Sequence, residues 1–281
     1  PPWVLGAGSR DRLAVAEEGV GALLRALDTG EIRVGVSHDH EDHAGAIPWV
    51  MGRWSEAGFH GPKDDGAGRE PRHPRGVVWL DSALPGDEHP SLSVAAIASG
   101  MADPNEGSAV FDLRWRPPAG RASRVVLCGD AEGQGLRAIL DGGGENPWLE
   151  PGPVDLLLLP HHGSRTRHLS RLLDRLQPAL AVVSGETPEY AAELARRGVP
   201  LHVTGRDGPL LWRPQAPSGD SPSPPGEICH ADGHRSLPQP YTGHAAASIH
   251  AACALLGGAE PMLKPLFIPL IVALTLAAPG L

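Results

Sequence analysis

Four potential metal ligands, His38, His40, Asp42 and His43, fall within six consecutive residues of the stretch SHDHEDHAG. They follow an apolar alternation, Ile32, Val34 and Val36, that reads as a strand, and they precede residues 44–50, which can open a helix. In extended chain, residues two apart project from one face, so His38, His40 and Asp42 can converge. A turn into a helix then brings His43 to a neighbouring position. Three imidazoles and a carboxylate suit Zn²⁺ and would also accept Mn²⁺ or Fe²⁺. The bland alternative is a charged, solvated loop in a chain with 14 histidines among 281 residues. A lone histidine would fit that reading; a cluster at a strand end points to metal.

Two later stretches carry the same chemistry. Residues 124–128 form a β-rich apolar run ending in Gly129-Asp130. A carboxylate just past a buried strand is placed either to reach a metal or to cap the helix expected over 133–140, and the histidines upstream favour the metal. Residues 154–159 read as a strand buried on both faces. It ends in Pro160-His161-His162-Gly163-Ser164, before a helix marked by Leu169, Leu172, Leu173 and Leu176. Adjacent histidines cannot easily both point at one ion. One is expected to face the metals and the other to hydrogen-bond the substrate or Asp130, and the residues do not say which. Ser164, Arg165 and Thr166 read as the start of that helix, where backbone N–H groups favour an anion.

The order His-x-His-x-Asp-His at 38–43, Gly-Asp-Ala-Glu at 129–132 and His-His-Gly-Ser at 161–164 resembles the metallo-β-lactamase-fold hydrolases. Within them it is similar to the hydrolase domain of the DNA-uptake channel protein ComEC and its free-standing relatives. The resemblance implies an α/β fold, the αββα sandwich of that family with N-terminal strands missing, and a C-terminal appendage. It implies two divalent ions, zinc foremost and manganese or iron as substitutes. His38 and His40 would hold one ion and Asp42 and His43 the other, with Asp130 bridging and His161 or His162 completing a shell. Asp42, Asp130 and His162 would carry catalysis, and Glu41 or Glu132 could accept hydrogen bonds from ligand imidazoles. A water shared between two such ions has its pKa lowered from about 15.7 towards about 7, which supplies hydroxide at neutral pH. The expected function is metal-dependent hydrolysis of a phosphodiester or similar ester.

A second reading, a degenerate member that binds metal or ligand without turnover, is motivated by an Asp missing near the start, a histidine missing after Ser184 and the expected truncation of the chain. Gly6 stands where the family places the Asp of Asp-x-Gly. No histidine lies between Pro90 and Asp130, and none in the run Gly185-Glu186-Thr187-Pro188.

The net charge of −9 argues against a broad nucleic-acid-binding surface. A small or nucleotide-like phosphodiester is therefore favoured over extended nucleic acid, although Arg69, Arg72, His73 and Arg75 could form a local basic patch. Hydrophobic content of 41% and charged content of 20% describe a globular chain. Cys128, Cys229 and Cys253 form no disulfide framework. With no leader at Pro1-Pro2-Trp3, a reducing, cytoplasmic setting is expected. The chain opens without Met and is expected to be a fragment.

The hydrolase domain is expected over 1–213, a Pro/Ser-rich linker over 214–226, and a tail of uncertain structure over 227–281. Within the tail, residues 265–279 are nearly all apolar but short of the roughly 20 needed to span a bilayer. Helices are expected at 13–27, at 44–57 with Pro48 in the early turns, and at 190–197. Residues 58–76 read as a surface loop, with His60 and His73 solvated. Strands are expected at 77–80, 92–98, 109–115 and 179–184, and a closing hairpin from 201–204 and 210–212. Residues 105–108, Asn-Glu-Gly-Ser, read equally as a turn and as a feature near the site. Cys128 is expected to be a buried strand residue.

Overall fold

The computed structural model describes residues 3–5, 21, 32–54, 58–60, 91–97, 101–116, 122–142, 149–185, 188–207, 210–213 and 227–229. The expected helix over 13–27, apart from Gly21, lies outside them. So do the strand over 77–80, the basic patch, the whole linker over 214–226 and the apolar run over 265–279.

A six-stranded sheet organises the described chain: β4 (Ser91–Ile97), β5 (Val110–Arg116), β6 (Ser123–Leu127), β7 (Leu156–Leu158), β8 (Ala181–Val183) and β9 (Leu201–Val203), hydrogen-bonded in sequence order. The first two pairings are antiparallel, as in a meander. From β6 onward the pairings are parallel, because a helix separates each strand from the next. These helices are α3 (Gly133–Asp141), α4 (Leu169–Leu176) and α5 (Ala191–Arg196). A smaller sheet joins β1 (Trp3–Leu5), β2 (Arg33–Gly35) and β3 (Gly58–His60), all parallel.

Both faces of the large sheet are buried, as its continuous apolar runs require. Val126, Cys128, Leu157, Leu159, Ala181 and Val183 pack on one side with Leu136, Ile139 and Leu140 of α3 and the four leucines of α4. Phe111, Leu113, Val125, Leu127, Leu156 and Val182 face the other way and gather with Leu5 of β1. The small sheet has a second cluster: Ile32, Val34 and Val36 with Ala44, Ile47, Val50 and Trp54. These last four belong to α1 (Glu41–Ala44), to α2 (Ile47–Arg53) and to the residue after it.

Several expectations differ from this arrangement. Of the helix expected over 44–57, the described part up to Trp54 is two short helices, because Pro48 has no N–H to donate to the Ala44 carbonyl one turn back. Gly58–His60, inside the expected loop, pairs with β2 as a strand. The helix expected near Ser164 begins at Leu169 with His168 at its N-cap, so Ser164, Arg165 and Thr166 are not its first turn. The closing hairpin is absent among the described residues. After β9 the chain makes the helical turn α6 (Thr204–Asp207), and β10 (Leu211–Arg213) pairs antiparallel with β11 (Glu227–Cys229). That pairing joins residues on either side of the 214–226 stretch.

Candidate metal centre

Every candidate ligand lies just past the C-terminal end of a parallel strand. Residues 37–43 follow β2, Asp130 follows β6, and His161 and His162 follow β7. Backbone bonds tie these loops together: His161 N–H donates to the Gly129 carbonyl at 2.9 Å, and Ala109 N–H to the Ser37 carbonyl at 2.8 Å. Residues from points as distant as 38 and 162 therefore converge at one edge of the two sheets.

Two groups of three donors result, and within each the donor atoms lie within 4.8 Å of one another. The first is His38, His40 and Asp130, and the second is Asp42, His43 and His162. In the first, His38 Nε2 is 2.9 Å from His40 Nδ1 and 3.8 Å from Asp130 Oδ2. In the second, Asp42 Oδ2 is 3.2 Å from His162 Nε2 and 3.5 Å from His43 Nε2. Asp42 thus parts company with His38 and His40. His40 ends the extended segment as the N-cap of α1, and Asp42 points from that helix toward His162.

Asp130 stands between the groups. Its Oδ2 faces His38, while its Oδ1 lies 3.2 Å from His43 Nε2 and 3.7 Å from His162 Nε2. It does not cap α3, whose N-cap is Glu132. Instead Glu106 Oε1 accepts from the Gln134 N–H at that helix's start.

His161 and His162 both take left-handed backbone, at φ 48° and 51°. Such a conformation costs a non-glycine residue about 1–3 kcal/mol, and it concentrates at functional sites. It turns the neighbouring rings to different partners. His162 Nδ1–H donates to the Ser184 carbonyl at 3.1 Å, which leaves Nε2 for the second group. His161 Nδ1–H donates to Glu132 Oε2 at 2.8 Å, with Nε2 3.9 Å from Asp130 Oδ2. His161 joins neither three-donor group. Glu132 thus takes the acceptor part for His161, whereas a Glu41 carboxylate oxygen lies against Gly45. Asn105 reaches the centre through Glu132, with Nδ2 3.4 Å from Oε1.

The electrostatics hold His38, Asp42 and Asp130 in forms ready for a cation, while His162 is held toward its protonated form, whose proton a cation would displace. Burial, and after it the neighbouring His43, push His38 down to about 3, so its imidazole is neutral at ordinary pH. The hydrogen bond from His162 holds the Asp42 carboxyl well below the usual range. Burial alone would raise Asp130, but His43, His162 and His38 outweigh it and keep the carboxylate ionised. Burial likewise works against a charged His162, and the Asp42 hydrogen bond with the Asp130 and Asp42 charges more than offsets it. Cys128, fully buried and pushed up to about 12, is a packing residue.

The donor chemistry fits a divalent cation, since imidazole and carboxylate together suit zinc and its first-row neighbours. His43 Nε2 and Asp130 Oδ1 sharpen the fit: both are buried and neither makes a hydrogen bond, although buried polar atoms nearly always find a partner. One contributor was not read from the sequence. Ser37, the hydroxyl residue before the histidine motif, contacts both His38 and His43.

None of the family models and none of the curated proteins matches the chain. Among solved structures it is similar to the metallo-β-lactamase MIM-1 from Novosphingobium pentaromativorans, at 18% identity and a TM-score of 0.34. That alignment covers 57% of this chain and 66% of the other, so the chain spans just under two thirds of the MIM-1 length. It is also similar to Igni18, a metallo hydrolase from the hyperthermophilic archaeon Ignicoccus hospitalis, at 18% identity and a TM-score of 0.33, covering 70% and 78%.

Proposed function

We propose that this chain is a hydrolase of the metallo-β-lactamase-fold class, holding two divalent cations, zinc foremost, and cleaving a phosphodiester. The observation that carries the reading is Asp130, whose two oxygens face two separate His/Asp groups. A carboxylate so placed can hold ions about 3.5–4 Å apart, the spacing of two-metal hydrolytic centres. The order of the three clusters supports a αββα layering: helices α3 to α5, large sheet, small sheet, then α1 and α2.

His38, His40 and Asp130 would hold the inner ion, and Asp42, His43 and His162 the outer one. Cations in these positions would lower the pKa of a shared water and polarise the scissile ester. The protein residues do the positioning. Ser184 and Glu132 fix the ring orientations of His162 and His161 through their Nδ1 atoms. The Asp42 side chain, 53% exposed, marks the side from which substrate reaches the buried Asp130. The motif order favours a phosphodiester, and the net charge of −9 favours a small or nucleotide-like one over extended nucleic acid.

The test is turnover of bis(p-nitrophenyl) phosphate, single-stranded DNA and a lactone by chelated protein before and after adding Zn²⁺ or Mn²⁺. Metal-dependent hydrolysis of the phosphodiester is expected. A protein that takes up both ions and turns over none of the three would favour the binding-only reading.

A further inference from the structure

We infer that Ser37 couples the two halves of the metal centre: its single hydroxyl positions one histidine from each three-donor group. Ser37 Oγ lies 3.1 Å from His38 Nδ1 and 3.2 Å from His43 Nδ1. His38 belongs to the first group and His43 to the second. The inference rests on the two-ion reading above and assigns a role to a residue outside both ligand sets.

The hydrogen count supports it. Both rings turn Nε2 toward Asp130; with a cation held there, both would present an Nε2 lone pair to it and carry their proton on Nδ1. A serine oxygen has two lone pairs and can accept from both Nδ1–H groups. Ser108 supplies a second acceptor on one side only: its Oγ is 3.3 Å from His38 Nδ1 and accepts from the Asp130 N–H at 3.0 Å. His38 thus has two hydroxyls behind it, and Ser37 is the hydroxyl that the two groups share.

The surroundings are shaped to admit these hydroxyls. Gly129 sits at φ 51°, and a Cβ there would come within 2.6 Å of Ser108 Oγ and 2.7 Å of Ser37 Cβ. The missing side chain therefore lets the two serines close against the backbone just before Asp130. Ser37 is itself anchored, since its carbonyl accepts from the Ala109 N–H at 2.8 Å. Ser37 is 4% exposed and Ser108 fully buried, so water does not readily replace either hydroxyl.

A hydroxyl that orients ligands of both ions predicts a joint effect on removal. Outer partners of ligand histidines typically change metal affinity about 10–100-fold. The experiment is a competition titration of the full chain with Zn²⁺, giving two dissociation constants for wild type, Ser37→Ala and Ser37→Thr. Circular dichroism checks the fold of each variant. Ser37→Ala is expected to weaken both constants about 10–100-fold, and Ser37→Thr, which keeps the oxygen, to restore both. Weakening of only one constant, or of neither, would overturn the coupling while leaving two-ion binding intact. If Ser37→Ala does not fold, Ser37→Thr decides: two wild-type constants support the role, and a changed pair contradicts it. Wild-type protein that binds fewer than two ions would instead remove the reading on which the coupling rests.

Discussion

Asp130 Oδ1 stands 3.2 Å from His43 Nε2, and neither of these buried atoms makes a hydrogen bond. At that distance the ionised carboxylate and the imidazole share no hydrogen bond, so neither atom answers the other's polarity. A cation accepting a lone pair from each would satisfy both at once. The other oxygen of Asp130 lies 3.8 Å from His38 Nε2, so one side chain serves both groups.

Replacing Asp130 with Ala removes that shared donor. Metal affinity should fall by more than the about 10–100-fold typical of outer partners, and hydrolysis should be lost with it. Zn²⁺ titration and phosphodiester turnover measure the two effects. Undiminished turnover in a folded Asp130→Ala protein would contradict the role.

His162 separates ligand function from backbone strain. At φ 51° a glycine is at ease and an alanine is not. Both His162→Gly and His162→Ala should lose the outer ion. In chemical denaturation of the metal-free proteins, the Gly variant should be the more stable by about 1 kcal/mol. A less stable Gly variant would mean that His162 stores no strain.

Asp112 of β5 lies away from the metal donors and should affect stability alone. It is buried and accepts from Arg124 at 2.9 and 2.8 Å and from Arg114 at 2.9 Å. Burial raises its carboxyl, but the two guanidinium groups outweigh that and hold it below the ordinary 3.8. A carboxyl depressed on folding stabilises the protein above its unfolded pKa, and that stability is lost as pH falls through the folded value. Wild type should therefore lose stability below about pH 3.8 more steeply than Asp112→Asn. Asp112→Ala should cost about 3–5 kcal/mol at neutral pH by leaving Arg124 without its main counter-charge. Denaturation midpoints across pH test both, and metal uptake should not change.

The parts of this structure legible in the sequence are those with local causes. Leu169, Leu172, Leu173 and Leu176 recur at helical spacing and all are buried in α4. The apolar runs before Asp130 and Pro160 become β6 and β7, and the alternation at 32–36 surrounds β2. What escaped was set by partners distant in sequence. Gly58–His60 carries no strand signal and is a strand because β2 offers it an edge. Asp42 leaves the face of His38 and His40 because α1 starts at Glu41, which extended-chain spacing cannot reveal. The turning of His161 toward Glu132 and His162 toward Ser184 depends on left-handed backbone that the sequence does not mark. Ser37 gains its meaning only when Ser108 and Gly129 close around it.

The most direct measurement is the metal content of purified wild-type protein, dialysed free of loose ions and loaded with Zn²⁺, by inductively coupled plasma mass spectrometry. Two groups bridged by Asp130 predict two equivalents of zinc per folded chain, released by chelation together with activity. A folded protein that retains no metal, or that hydrolyses its substrate at full rate without any, would contradict the account.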